Sequence, residues 1–163
     1  MKTNQEIMDN FHECLLEGNI QKAYRLVFDI LSKVKTNLSK NNKMNIPNNI
    51  YHGYLDMTYF PVFTDVLKKH LLKIAIVFNY DKFSFEIWLS ANNKKTQNKY
   101  WEIIKEKKWK KYKIMESIVN EDSIIEYPIK ITDSYNEINK LVNTIEKQSI
   151  DFIANIEVFL NSV

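Results

Sequence analysis

The clearest pattern in the chain is a change of hydrophobic period between residues 71 and 104. Ile74, Ile76 and Phe78 alternate with Lys73, Ala75 and Val77, which predicts a strand buried on both faces. Asn79-Tyr80-Asp81-Lys82 supplies turn chemistry, since Asn and Asp side chains bond their own backbone and tolerate unusual dihedrals. On the return strand Phe83, Phe85, Ile87 and Leu89 point one way, while Ser84, Glu86, Trp88 and Ser90 point the other. Asn92 or Asn93 then caps a helix that carries Gln97, Tyr100, Trp101 and Ile104 at helical spacing and runs to about Lys107.

The same reading extends along the chain. Thr3 or Asn4 caps a first helix with an apolar stripe of Ile7, Phe11, Cys14 and Leu15, and Gly18 stands at its C′ position. A second helix follows from about Ile20 to Ser39, with Ala23, Val27, Ile30, Leu31, Val34 and Leu38 on one side. The short connection predicts a helical hairpin over 1–40. Asn-rich 40–49 reads as a loop. Tyr51–Phe60 reads as one strand ended by Pro61, with Leu55, Met57 and Tyr59 on one face and His52, Tyr54, Asp56 and Thr58 on the other. Residues 64–70 form a short connection, and residues 108–120 fit no single period. Ser123–Ile129 is a fourth strand, placed at the sheet edge by Pro128. Ser134-x-x-Glu137 is a capping box opening a final helix over 134–162, roughly 40 Å long at ~1.5 Å per residue. This order predicts an α+β fold in one domain, 1–163: an N-terminal helical hairpin, a mainly antiparallel sheet of about four strands with one helix over 51–130, and a long C-terminal helix.

Composition narrows the function classes. Two glycines and three prolines in 163 residues leave no room for a Gly-rich phosphate loop. No run reaches the ~18 apolar residues of a membrane helix, and the start lacks the apolar core of a secretory signal. Cys14, the single cysteine, has no partner for an internal disulfide, so the expected location is the cytoplasm. Arg25 is the only arginine among 23 basic residues, and with the many Ile and Asn residues this suggests an AT-rich, bacterial genome.

Two constellations carry candidate chemistry. The first is the polar strand face: His52, Tyr54, Asp56, Glu86 and Trp88, next to the helix start at Asn92 and Tyr100. Paired carboxylates share a proton or hold a cation, and a nearby His serves as base or ligand. The plain alternative is a solvated or covered sheet face. A restriction-type nuclease wants an acid-x-Lys dyad on the hairpin, and Glu86-Ile87-Trp88 puts tryptophan where lysine belongs. The second is the basic stretch 94–113, whose nine lysines against Glu102 and Glu106 give +7 in a chain of +3, leaving −4 elsewhere. Lys94, Lys95 and Lys99, interleaved with Tyr100, Trp101, Trp109 and Tyr112, suit phosphate contacts and base stacking. Scarce arginine argues against base-specific readout, and a solvated helix face with a buried aromatic stripe is the favoured alternative. His12, His52 and His70 are too dispersed for a metal motif, and Cys14 reads as core. No metal site is therefore expected.

Three segments, GNIQKAYRLVF at 18–28, YHGYLDMTYFPVF at 51–63 and LKIAIVFNYDKFSFEIWLSANNKKTQNKYW at 72–101, resemble an uncharacterised family of short bacterial proteins, a domain of unknown function. DSIIEYPI at 122–129 and the final helix fit as well. The resemblance implies a compact cytoplasmic domain and carries no activity, cofactor or catalytic residue. The expected function is that of a small cytoplasmic module, monomeric or homodimeric and off the membrane, that binds a protein or small-molecule partner without catalysis. Nucleic-acid binding through 94–113 and an enzyme using the carboxylate face are the alternatives.

Overall fold

A computed structural model describes residues 2–132 and 134–163. The fold is α+β, with helices α1 (Asn4–Leu16), α2 (Asn19–Leu38), α3 (Asp65–Lys69), α4 (Lys94–Glu106) and α5 (Ile138–Leu160). The strands are β1 (Tyr51–His52), β2 (Met57–Val62), β3 (Leu72–Asn79), β4 (Ser84–Ala91) and β5 (Ile125–Pro128). They form one antiparallel sheet in the order β1-β2-β3-β4-β5, so each strand pairs with its neighbour in sequence. Short connections make antiparallel pairing the only geometry open to β1 through β4, while β5, reached through α4 and a long irregular segment, adds antiparallel to the β4 edge.

The two faces of the sheet are furnished differently. Phe60 and Val62 of β2, Leu72, Ile74, Ile76 and Phe78 of β3, and Phe85, Ile87 and Leu89 of β4 face the main core. Helices α2 to α5 close over that face with Ile30 and Leu31, Leu67, Tyr100 and Ile104, and Ile145, Phe152 and Ile156. Each such side chain, fully buried, contributes about 1.5–3 kcal/mol. The opposite face holds a smaller cluster of Ala75, Val77 and Trp88, flanked by Met57 and Tyr59 and drawing only on strands.

Local chemistry explains several departures from the expected pattern. The single strand read over 51–60 is two strands joined by a reversal. Gly53 N–H donates to Met57 O at 3.0 Å, and Leu55 sits at φ +61°. A Cβ at position 53 would lie 1.9 Å from Asp56 Oδ1 and 2.4 Å from Met57 O, so only glycine closes this turn. The sheet therefore has five strands. The reversal also resets the side-chain alternation. Thr58 pairs with His52 on the helix-covered side, whereas Tyr59 pairs with Tyr51 on the open side.

Pro61 does not end β2. Phe63 exchanges backbone bonds with Asn45 on the outer edge, and Tyr59 pairs outward with β1. With a period of two, the missing N–H of Pro61 falls in the gap between those pairings.

Phe83 is also displaced. It lies in the turn at φ +50° and is 66% exposed, so the core row of β4 begins at Phe85. Thr64 caps the short α3, where only a connection was expected. The C-terminal helix begins at Ile138. Ser134 Oγ accepts from Asn136 N–H and Ser134 O from Glu137 N–H, a turn rather than a capping box.

At the other end, Thr3 and Glu6 form a reciprocal capping box on α1. None of α1's residues is buried: Ile7 and Phe11 are about half exposed, and Cys14 is exposed rather than core. No helix among the described residues is long and apolar enough to cross a membrane.

Candidate functional site: a cleft on the open face of the sheet

The register of the three long strands builds a polarised surface on the open face. Cross-strand pairs stack in rows: Lys73 opposite Ser90, Ala75 opposite Trp88, and Val77 opposite Glu86. On the β2 side, Pro61 extends the Ala75 row and Tyr59 the Val77 row, while Glu126 of β5 lies opposite Trp88. Over these rows opens a cleft of about 440 Å³. Its floor includes Ala75, Trp88, Met57 and Tyr59, and its rim includes Asn92, Asn93 and Gln97. The volume suits a small organic molecule, and an apolar floor with a few convergent polar groups is the usual composition of such sites.

The floor is braced from the side by a buried carboxylate, one pleat along the same face of β4. Glu86, 1% exposed, accepts from Trp88 Nε1 at 2.7 Å and from Ser84 Oγ at 3.0 Å, with Lys82 Nζ at 3.4 Å. Lys82 also bonds Glu126 Oε2 at 2.5 Å, and Ser123 Oγ donates to Glu126 Oε1 at 2.9 Å. Burial pulls the Lys82 ammonium down, but the hydrogen bond to Glu126 and the charges of both carboxylates outweigh it and raise the pKa overall. The network leaves the Trp88 indole N–H committed and its ring fixed.

One wall is set by helix α4. Asn93 accepts from Thr96 N–H at 2.8 Å as the N-cap, with its own backbone extended. Gln97, buried, donates to the carbonyls of Glu121 and Ser123 at 3.0 and 3.2 Å, and Lys94 Nζ also donates to Glu121 O. These bonds pin the otherwise irregular segment before β5 against α4 and bring Asp122 to the cleft. Burial, then Tyr51 and Asp122, raise the Tyr59 hydroxyl above its ordinary pKa. Tyr51 and Tyr59 lie ring to ring at 5.0 Å. Asp56 closes the far end, its Oδ1 accepting from Met57 N–H at 2.7 Å.

Of the residues singled out in the sequence, Asp56, Trp88 and Asn92 line the cleft, and Lys94 joins them from the basic stretch. Glu86 lies on the same face but outside the lining, engaged with Lys82, Ser84 and Trp88, so it is no member of an open carboxylate pair with Asp56. His52 stacks on Phe28 at 4.7 Å on the helix side, Tyr54 is 98% exposed in the reversal, and Tyr100 is buried with its hydroxyl 2.6 Å from His70 Nδ1. Lys73, Ser90, Tyr59, Gln97 and Asp122 were not singled out. The usable signals were a lysine inside an apolar strand and a serine in the Trp88 row; Asp122 gave none.

The aromatics of the basic stretch are spoken for. Trp109 stacks on Phe159 at 4.6 Å, Tyr112 packs on Phe152 at 4.5 Å, and Trp101 Nε1 donates to Met115 O at 2.8 Å. Tyr100 is buried, and Trp101 packs against the core with Lys105 Nζ over its ring at 3.9 Å, so none of the four rings stands clear for a stacked base. Lys99 lies over the Tyr100 ring at 5.2 Å, and Lys95 is exposed. Among the described residues, no group of three or more His, Cys, Asp or Glu side chains is placed to hold a metal ion.

A family model for a domain of unknown function, DUF7000, matches residues 4–160, and the chain belongs to that family. No curated protein and no solved structure matches it.

Proposed function

We propose that this member of the DUF7000 family is a binding protein for a small molecule held in the cleft over β3 and β4, without covalent chemistry of its own. The observation that carries the reading is the buried carboxylate beside Trp88. A carboxylate taken out of water costs several kcal/mol unless it is well paired, and an apolar replacement of similar volume is often as stable. Here the Glu86 charge is spent on fixing the indole that floors the cleft. The lone cysteine fits a reducing compartment, so the reading places the protein in the cytoplasm.

A fragment library screened by thermal shift, in parallel on the native protein and on Trp88→Leu, tests this. Hits that stabilise the native chain should lose about tenfold or more in affinity on Trp88→Leu by calorimetry. Hits indifferent to Trp88→Leu and to Asn92→Ala would overturn the reading.

A further inference from the structure

Resting on that reading, the cleft also has a chemical polarity that names its ligand class. At one end Lys73 of β3 and Ser90 of β4 stand directly opposite each other, one pleat beyond the Ala75–Trp88 pair. Lys73 is the only charged residue in β3, half-buried, and has no carboxylate partner among the described residues. Ser90 is 3% exposed, lines the cleft, and its hydroxyl has no hydrogen-bond partner among the described residues. Among the described residues, the one wholly enclosed side-chain polar atom without a partner is Gln21 Oε1, elsewhere in the fold, so the Ser90 hydroxyl keeps its opening onto the cleft. Buried hydroxyls are ordinarily paired, and one that is not asks for a partner from outside.

Beside this pair the chain passes through Asn92 and Asn93 into the first turn of α4. Asn93 satisfies Thr96 N–H with its side chain and Gln97 N–H with its carbonyl, which leaves the earliest N–H groups of this 13-residue helix free. The Lys94 ammonium donates to the neutral carbonyl of Glu121 and forms no ion pair among the described residues. Two ammonium groups, a buried hydroxyl and the positive end of a helix converge there. The two acids of the lining are placed differently. By register Asp56 precedes the start of β2, at the opposite end of the strands from Lys73. Asp122 instead stands between Glu121 and Ser123, whose carbonyls Lys94 and Gln97 hold. One carboxylate thus faces two ammonium groups and a helix N-terminus, and the end keeps a net positive charge. Two lysines against two aspartates in the lining oppose a polyphosphate.

We infer that the ligand is a small planar organic monoanion, its ring on Trp88 and Tyr59 and its carboxylate held by Lys73, Ser90 and the N-terminus of α4. Three probes of similar ring and different charge test this by calorimetry and by the Trp88 indole resonance: indole-3-acetate, tryptamine and 3-methylindole. Indole-3-acetate should bind about tenfold or more tightly than the other two. Lys73→Met should erase that preference while keeping residual ring binding, and Ser90→Ala should weaken the anion severalfold. Equal affinity for the three, or preference for tryptamine, overturns the charge assignment and leaves the cleft as a binding site. No saturable binding of any probe overturns the assignment as well, and if library fragments also ignore Trp88, the binding reading falls with it.

Discussion

The two faces of one sheet have been put to opposite uses. On the helix-covered face, rows such as Phe60–Ile76–Ile87 are fully buried and apolar, closed by four helices. On the open face the rows are Lys73–Ser90, Ala75–Trp88 and Val77–Glu86, and a carboxylate, a lysine and a serine occupy positions that stability alone would fill with aliphatics. Uniform apolar packing serves cohesion on the first face; on the second, under the proposed function, Lys73 and Ser90 take their partners from a bound molecule, and cohesion yields to binding there.

The comparison is broken most forcefully from the inside. Phe85→Ala should cost on the order of 3–5 kcal/mol, because a fully buried ring in contact with Phe78 leaves a cavity the sheet does not close. Urea denaturation reads it, and an unchanged midpoint would invert the assignment of faces. Glu86→Ala comes next, at about 2–3 kcal/mol, since it strips charge-assisted bonds from Trp88 Nε1 and Ser84 together. The near-UV circular dichroism of Trp88 should change with it; loss of stability without that change would mean Glu86 does not orient the indole. Gly53→Ala should cost roughly 1–3 kcal/mol through its clash with Asp56 and Met57 O.

The sharpening variants are the quiet ones. Lys73→Met and Ser90→Ala should stay within about 0.5 kcal/mol of the native protein, or gain stability, as expected when a position serves binding rather than cohesion. A loss as large as that of Phe85→Ala would make the open face structural too. The smallest effect is a pH dependence. Burial, then the charges of Lys69 and Lys99, lower the His70 pKa below its ordinary value of 6.5. A lowered folded-state pKa on a histidine favours the neutral ring, so its stabilising share is present above that ordinary value and is lost as pH falls from there through the folded value. Denaturation at pH 7.5 and 5.5 should show a modest acid loss that is reduced in His70→Gln; an identical loss in the variant would remove His70 from the account.

Much of the helix-covered face was legible because it repeats. Phe85, Ile87 and Leu89 on β4, and Leu141, Val142, Ile145, Phe152, Ile153 and Ile156 on α5, announce their burial by spacing alone. The reversal at Gly53 was not legible, since one glycine inside an aromatic run looks like a strand interruption until Asp56 is seen against it. The cleft was half legible. Trp88 and Asn92 follow from alternation and capping, but Lys73 matters only because it meets Ser90 across two strands, and Asp122 only because Gln97 and Lys94 pin its neighbour. Those are long-range facts, and no local period encodes them.

The most direct test of the central claim, that the open-face cleft is the binding site, is a map of backbone amide shifts in the ¹⁵N-labelled protein titrated with indole-3-acetate. The account predicts saturable shifts at Lys73, Trp88, Ser90, Asn92, Asn93 and Gln97, with the core rows of β3 and β4 unmoved. Saturable shifts confined to the apolar groove formed by Ile20, Tyr24, Tyr54 and Leu55, or scattered over the exposed face of α1, would contradict it.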